Sequence, residues 1–462
     1  MLKASYLTQR NSALLSLIIV STAVFLSVLD IFIVNVALPS IKTGLHGSDA
    51  DLQLIIALYL LGHAIFLVTA GRLGDYYGRK RMFIIGMTLF VISSCYCGFA
   101  NTPLQMNAAR FLQGTGAALM LPQSITYIQL LFPDPQQRIK ALGIYGSIAG
   151  TASIIGQLLG GILPDLHTPI AGWRLIFLIN LPIGITAIIA AWKMLPETNP
   201  EKDKKFDWMG VFILTITLCF LIFPLVYGRE LGWPAWTQLL LVASIVFLFI
   251  FVKQQLKKSA DALIDMRLFR FKDFKIGLLA VLFYFMVQDS YFLINAILMQ
   301  TGLGYSSSAA GILFVFQGIG YVIASIWSIR LVPIYGKRVL QTGIGIMVIT
   351  LIAHIFFFTL NTNSFTMLSI ILFAYGTGCG SVLPSLLTMT LKSIPVGNAG
   401  TASGVFTTLQ QTAIALGVCI PGGLFFYIIQ QTGYIPAYQV ATSVNIGLLL
   451  LTGYCLYKLP EA

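Results

Sequence analysis

Two acids lie deep in apolar sequence, Asp30 and Asp289, together with one base, Arg110. An ionisable side chain at membrane depth is costly, so each is first a candidate for function. A carboxyl group there can carry a proton on one side of a membrane and release it on the other. Asp30 is the candidate for that work; the plainer reading is a helix-packing acid satisfied by neighbouring hydroxyls or amides. A buried guanidinium needs an acceptor, and for Arg110 this could be Asp30, another polar group or a helix carbonyl. Beside Asp30 it would favour the carboxylate when paired and the protonated acid when separated, turning helix motion into proton exchange. Simple anchoring of its own helix is the alternative. Asp289 sits in Phe283-Tyr284-Phe285-x-x-Gln288-Asp289-x-Tyr291-Phe292. Aromatic faces suit a flat apolar substrate, and an acid among them attracts a cation. Tyr284, Gln288, Asp289 and Tyr291 are therefore expected at a substrate site or second proton site, against the alternative that such aromatics pack a core or face lipid. His63 and His354 each stand alone in apolar runs and read as packing histidines.

The elements that must position these groups are membrane helices. The 462 residues are 57% hydrophobic and 10% charged, where a soluble domain is about 25% charged. A net charge of +12 raises nucleic acid as a partner, but the basic residues fall in short patches between apolar runs, as expected of cytoplasmic loops facing anionic lipid. The basic stretch from Lys253 to Lys275 needs no other ligand. The six cysteines lack metal-ligand spacing, so neither a metal nor a disulfide framework is expected. Lys3 and Arg10 precede an apolar run that continues through Asp30 to Pro39 without a small-residue cleavage site, so it reads as a first span. No Walker-type phosphate loop and no enzyme domain are recognisable. The expectation is a non-enzymatic protein without cofactor, driven by an ion gradient rather than ATP.

About 20 apolar residues cross a bilayer, and about fourteen such runs can be drawn: 13–38, 52–71, 82–100, 104–131, 139–163, 173–194, 208–227 and 236–256, then 275–299, 306–329, 338–360, 364–390, 398–429 and 436–457. Arg110 lies inside the fourth. Of the 28 basic residues, only Lys42, Arg174 and Arg229 fall between spans on one side, and the other 24 share the side of both termini. Cytoplasmic loops retain positive charge, which predicts cytoplasmic termini and an even number of spans.

The turn Gly71 to Arg81, GRLGDYYGRKR, has an echo. Arg72-Leu73-x-x-x-Tyr77-Gly78-Arg79-Lys80 returns 258 residues later as Arg330-Leu331-x-x-x-Tyr335-Gly336-Lys337-Arg338. Gly114-Thr115-Gly116-x-x-x-x-Leu121-Pro122 returns 262 residues later as Gly376-Thr377-Gly378-x-x-x-x-Leu383-Pro384. Each shift spans eight helices, an even number, so the repeat is parallel. The division expected is a six-helix half over 1–200, two inserted helices over 201–262 and a second six-helix half over 263–462.

These motifs resemble the major facilitator superfamily, in its fourteen-span drug/proton antiporter branch, over nearly the whole chain. GRLGDYYGRKR is similar to the superfamily's signature between helices 2 and 3. Leu29-Asp30 through Asn35-x-Ala37-Leu38-Pro39, Arg110-Phe111-Leu112-Gln113-Gly114, and Trp173-Arg174 with Phe177, Asn180 and Pro182 resemble signatures of spans 1, 4 and 6. The fold implied is an all-α membrane protein of two six-helix bundles plus two inserted helices. The resemblance implies proton coupling at Asp30 and Arg110, and a cytoplasmic latch at Gly71, Arg72, Gly74, Asp75, Gly78 and Arg79. An Asp and an Arg four residues apart on a helix can pair, which suits the latch. Gly150, Gly156, Gly160 and Gly161 resemble the exporters' glycine-rich fifth helix and would seal it against a partner across the half-domain interface. Gln157 stands where that pattern has proline, which removes its kink.

The function implied is a proton-coupled efflux antiporter for hydrophobic drug-like molecules, cationic ones included, in the bacterial inner membrane. Its partners would be small-molecule substrate, protons and membrane lipid, with no nucleic acid; a periplasmic adaptor is left open. The alternatives are export of an endogenous metabolite, lipid or siderophore, and a non-transporting membrane binding or sensory protein on the same fold.

Overall fold

The computed structural model describes residues 2–197, 207–258, 262–359, 364–394 and 399–459. The expected division at 200–201 and the side chain of Arg72 lie outside the described residues. Among those described there are helices and no strands. They are α1 (Leu2–Leu45), α2 (Asp49–Tyr77), α3 (Arg79–Phe99), α4 (Pro103–Leu131), α5 (Pro135–Ile162), α6 (Gly172–Leu178), α7 (Asn180–Met194), α8 (Trp208–Glu230) and α9 (Ala235–Lys258). They continue as α10 (Lys272–Ile297), α11 (Ser307–Tyr335), α12 (Lys337–Thr359), α13 (Phe365–Leu391), α14 (Ala399–Cys419), α15 (Pro421–Thr432) and α16 (Tyr434–Lys458).

Thirteen described segments are long and apolar enough to cross a membrane, with α6 and α7 forming one of them and α14 and α15 another. Both divided segments break within four residues of a proline, Pro182 and Pro421, each of which removes the hydrogen bond to the carbonyl four residues back; α1, α4, α8, α11 and α13 run through their prolines unbroken. The long helix outside the thirteen is α4, whose apolar run is interrupted by Asn107, Arg110, Gln113 and Gln123. All four are buried by neighbouring helices.

Helices α1 to α7 pack chiefly on one another, as do α10 to α16, while α8 and α9 pair and α8 leans on α2 and α14. The sequence echo is also a packing echo. Helix α4 lies between α2 and α3, and α13 lies between α11 and α12. A methyl group on Gly114 would overlap the Tyr59 carbonyl of α2, and one on Gly376 the Gln317 carbonyl of α11. Gly116 meets Gly86 of α3 as Gly378 meets Gly343 of α12. In lipid, where association rests on close van der Waals approach, glycine is what lets these backbones touch.

The chain alternates between a basic end, holding the 71–81 and 330–338 turns, and a far end. The three basic residues of the far end each have fixed partners. Lys42 pairs with Asp49 at 2.5 Å. Arg174 donates to the carbonyls of Gly98 and Ala100 at the end of α3, at 2.9 and 2.8 Å, where a helix C-terminus attracts cations. Arg229 donates to the Gly423 carbonyl at 2.7 Å.

Candidate transport site

Asp30 is fully buried on α1, and its carboxylate closes a network drawn from five helices. Arg110 Nη1 of α4 donates to Asp30 Oδ2 at 2.5 Å and to Gln113 Oε1 at 2.7 Å. Gln113 Nε2 donates to Asp30 Oδ1 at 2.7 Å, so the two α4 side chains, one turn apart, hold both carboxylate oxygens. Arg110 Nε donates to the Ile55 carbonyl of α2 at 3.0 Å, and the guanidinium lies 4.3 Å over the Tyr59 ring. The Tyr59 hydroxyl is 3.0 Å from Ser27 on α1. On the opposite flank Asn180 of α7 donates to Ser94 of α3 at 2.9 Å and reaches Asp30 Oδ1 at a long 3.4 Å. A buried ion pair holds only when its remaining hydrogen-bonding positions are filled. Gln113, Ile55 and Tyr59 fill them here.

Asp289 lies on α10, in the other helical group, and accepts from Asn35 Nδ2 of α1 at 2.9 Å. Five residues of α-helix separate Asp30 from Asn35, a rise of about 7.5 Å and a rotation of about 140°. One helix thus turns Asp30 into its own group and Asn35 toward the other. The expected neighbours of Asp289 diverge. Tyr291 is buried and stacks on Tyr375 of α13 with ring centroids 3.8 Å apart. Tyr284 is buried and its hydroxyl reaches the Cys379 carbonyl at 3.4 Å. Half-buried Gln288 accepts from the Cys379 thiol at 3.8 Å. These three therefore meet α13 within the second group, while Asp289 meets the first. His354 is buried beside Tyr291, with ring centroids 5.9 Å apart, and His63 beside Tyr59, 6.2 Å apart.

In the 71–81 turn, Arg79 Nη2 pairs with Asp75 Oδ1 at 2.8 Å. Gly78, at φ 94°, ends α2 and begins α3, a backbone state that glycine alone adopts cheaply. Gly74 packs on the Gln123 side chain of α4, whose Nε2 donates to the Ala70 carbonyl at 2.7 Å, while Gly71 faces open space. In the echo, Gly336 has φ 55°, and Lys337 Nζ donates to the Leu459 carbonyl at 2.6 Å.

The glycines of α5 divide by partner. A methyl group on Gly156 would come within 2.8 Å of the Leu29 carbonyl and one on Gly160 within 2.5 Å of the Ile33 carbonyl, both on α1. On Gly161 it would come within 2.5 Å of the Ser307 carbonyl at the start of α11 in the other group. Gly150 meets only Val322 of α11, at 3.6 Å, and Gly143 and Gly146 meet open space. Helix α5 runs unbroken past Gln157, a buried side chain beside Gly318 of α11. The hydrogen bonds between the two groups follow the same gradient among the described residues. They run from Thr408 to the Ala64 carbonyl at mid-height, through Asn35–Asp289 and Gln53 to the Val418 carbonyl, to Gln300 with the Val36 carbonyl, Ser40 with Ser307, and Asp165 with Ser308 at the far end. The groups are joined from the middle to the far end.

The sequence model of the Major Facilitator Superfamily matches residues 20–418. The chain belongs to that superfamily. Members are transporters of small molecules, not enzymes, and this major facilitator chain is a multi-pass membrane transporter. It is 34% identical over 431 residues to a probable actinorhodin transporter of Streptomyces coelicolor, spanning 92% of this chain and 73% of the relative. It is 29% identical to the multidrug resistance protein Stp of Mycobacterium tuberculosis, spanning 90% and 76% of the two chains. It is also 29% identical to the putative multidrug resistance protein MdtD of Salmonella paratyphi A, spanning 89% and 86%. A bacterial homolog of the human lysosomal transporter Spinster, solved inward-facing and occupied, superposes with TM-score 0.69 at 16% identity over 96% and 95% of the two chains. A D-xylose-proton symporter does so with TM-score 0.69 at 13% identity over 96% and 97%. At such identities these two structures speak for the fold alone.

Sequence reasoning found Asp30, Arg110 and Asp289 because they are charges at membrane depth. Gln113, Asn35 and Asn180 lie within the sequence motifs but carry no charge that would mark their partners. Their signal was an amide one turn after Arg110, and one on the α1 face away from Asp30.

Proposed function

We propose that this major facilitator chain is a proton-coupled exporter of hydrophobic, drug-like small molecules, cationic ones included. It lies in the bacterial inner membrane with fourteen passes and both termini cytoplasmic, α4 being the pass whose polar side chains neighbouring helices cover. Two six-helix halves, 1–200 and 263–462, alternate access about their interface, with the inserted pair 201–262 alongside. The observation that carries the reading is the closed Asp30–Arg110–Gln113 network, because a carboxylate clamped by two side chains of one other helix senses movement of that helix. With the halves joined at the far end, Arg110 and Gln113 occupy both carboxylate oxygens. Movement of α4 relative to α1 would part the pair and open the carboxyl to proton exchange. Arg110 keeps Gln113, the Ile55 carbonyl and the Tyr59 face as its own support in that state. Likeness to relatives named for multidrug resistance and actinorhodin transport supports the substrate class.

Dye movement in everted membrane vesicles tests the reading. Uptake of a hydrophobic cationic dye should follow an imposed pH gradient, collapse with a protonophore, and be lost in Asp30→Asn. Uptake that is indifferent to the protonophore would remove proton coupling.

A further inference from the structure

We propose that Asn35 and Asp289 form a recognition pair for the N–H group of a cationic aromatic substrate, whose flat body lies against Phe32 and Phe292. This rests on the export reading above and names the class of substrate it takes.

Asn35 is 1% exposed. Its amino group faces Asp289, and because a carboxylate only accepts, that bond fixes which way the amide points. The carbonyl oxygen Oδ1 is consequently turned elsewhere, buried and without a hydrogen-bond partner. Buried acceptors are nearly always satisfied, and among the open amide oxygens of the described residues, which include those of Gln53, Gln157 and Gln317, that of Asn35 is the one whose amino group is held by an acid of the other helical group. A residue present only to clasp Asp289 needs one donor and no buried acceptor. The one hydrogen bond of Asp289 among the described residues is to its Oδ1, which leaves Oδ2 free to accept beside the sealed Asn35 oxygen. Beside them Phe32 of α1 meets Phe292 of α10 edge-on, ring centroids 5.2 Å apart at 84°, and Phe32 is half-buried.

The chemistry of the occupant follows. The carboxylate selects a cation, the open amide oxygen selects one that carries N–H, and the phenyl faces select a flat apolar body. A quaternary cation satisfies the first and third requirements and not the second. The ligand donates to the open Asp289 Oδ2 and Asn35 Oδ1 on either side of the Asn35–Asp289 bond, which stays in place and keeps the amide oriented. Asp30 lies on the same helix five residues away, so α1 carries both the recognition pair and the acid of the Arg110 network.

Three fluorescent compounds of similar shape decide the matter, bound to the purified full chain in lipid nanodiscs. They are 9-aminoacridine, a cation with N–H; N-methylacridinium, a cation without it; and neutral anthracene. Wild type should bind 9-aminoacridine at least tenfold tighter than either of the others. Asn35→Leu should erase the preference for 9-aminoacridine over N-methylacridinium, and Asp289→Asn the preference for N-methylacridinium over anthracene. Asn35→Ser, which keeps an acceptor oxygen in a smaller side chain, should retain part of the first preference and guards against simple misfolding. Equal binding of all three compounds by wild type overturns the proposal, as does a preference that survives both Asn35→Leu and Asn35→Ser. Selective, Asn35-dependent binding without pH-gradient-driven transport sinks the export reading and leaves the site. Gradient-driven transport abolished by Asp30→Asn, with selectivity untouched at Asn35, sinks the site and leaves the export reading.

Discussion

Replacing Arg110 with methionine keeps an unbranched apolar stem and removes the charge, leaving Asp30 fully buried with only Gln113 Nε2 at 2.7 Å and the distant Asn180 as donors. Breaking a buried pair from one side costs about 3–5 kcal/mol, and the Ile55 carbonyl, which accepts from Arg110 Nε, loses its side-chain donor as well. The reverse change, Asp30→Asn, leaves Arg110 donating to Gln113 and Ile55 and resting on Tyr59, so its loss should be smaller. The double variant Asp30→Asn/Arg110→Met removes both charges and should be more stable than Arg110→Met alone, because the coupling between the two sites, about 0.5–3 kcal/mol, exceeds the loss from Asp30→Asn. A thiol-reactive dye reports the transition during heating, because Cys97, Cys379, Cys419 and Cys455 are free and buried in the fold. The expected order of midpoints is wild type, then Asp30→Asn, then the double variant, then Arg110→Met. An Arg110→Met midpoint equal to wild type would refute the claim that the pair supports a buried charge.

Other expectations follow from the packing. Gly114→Val and Gly376→Val should each abolish monodisperse expression, since either side chain would overlap a carbonyl of the next helix; normal elution profiles on size exclusion would show that those approaches are not required. Asp207 caps α8 and accepts from Gln254, Gln255 and Lys258 of α9. Burial alone would push its carboxyl up, but Lys258 and the amide donors outweigh it and bring it down to about 2. A group depressed in the folded state stabilises above its unfolded value, about 4, and that contribution fades as pH falls toward 2. Asp207→Asn should therefore lower the midpoint at pH 7 and narrow its gap to wild type at the acid limit; a gap constant with pH would assign the loss to something other than charge. Asp75→Asn removes the negative charge that pairs with Arg79 and should slow transport and alter the labelling of cysteines placed at the basic end. Full wild-type transport with unchanged labelling would end the latch reading.

Most helices were legible because they are apolar runs of membrane length, with α4 the exception among the long ones, and the two glycine pairs were legible because close helix approach leaves little other choice of residue. The breaks near Pro182 and Pro421 were not legible, because α1, α4, α8, α11 and α13 carry prolines of their own and run on unbroken. Charge at membrane depth pointed to Asp30, Arg110 and Asp289. The pairing of Asp30 with Arg110 could not be read, since 80 residues separate them and only the packing of α1 beside α4 brings them together. Tyr284 and Tyr291 show the limit of reading aromatics near an acid. On a helix buried on most sides, neighbours in sequence point into different surroundings, and these two rings meet α13 while Asp289 meets α1. Neutral amides escaped because their cost in a membrane is modest, although Gln113 and Asn35 hold the two acids in place.

The central claim is that Asp30 carries the proton exchanged for substrate. Reconstituted into proteoliposomes, wild type and Asp30→Asn should both exchange labelled for unlabelled substrate down no net gradient, and only wild type should accumulate it against a gradient when a pH difference is imposed. Accumulation by Asp30→Asn at the wild-type level, under the same pH difference, would contradict the account.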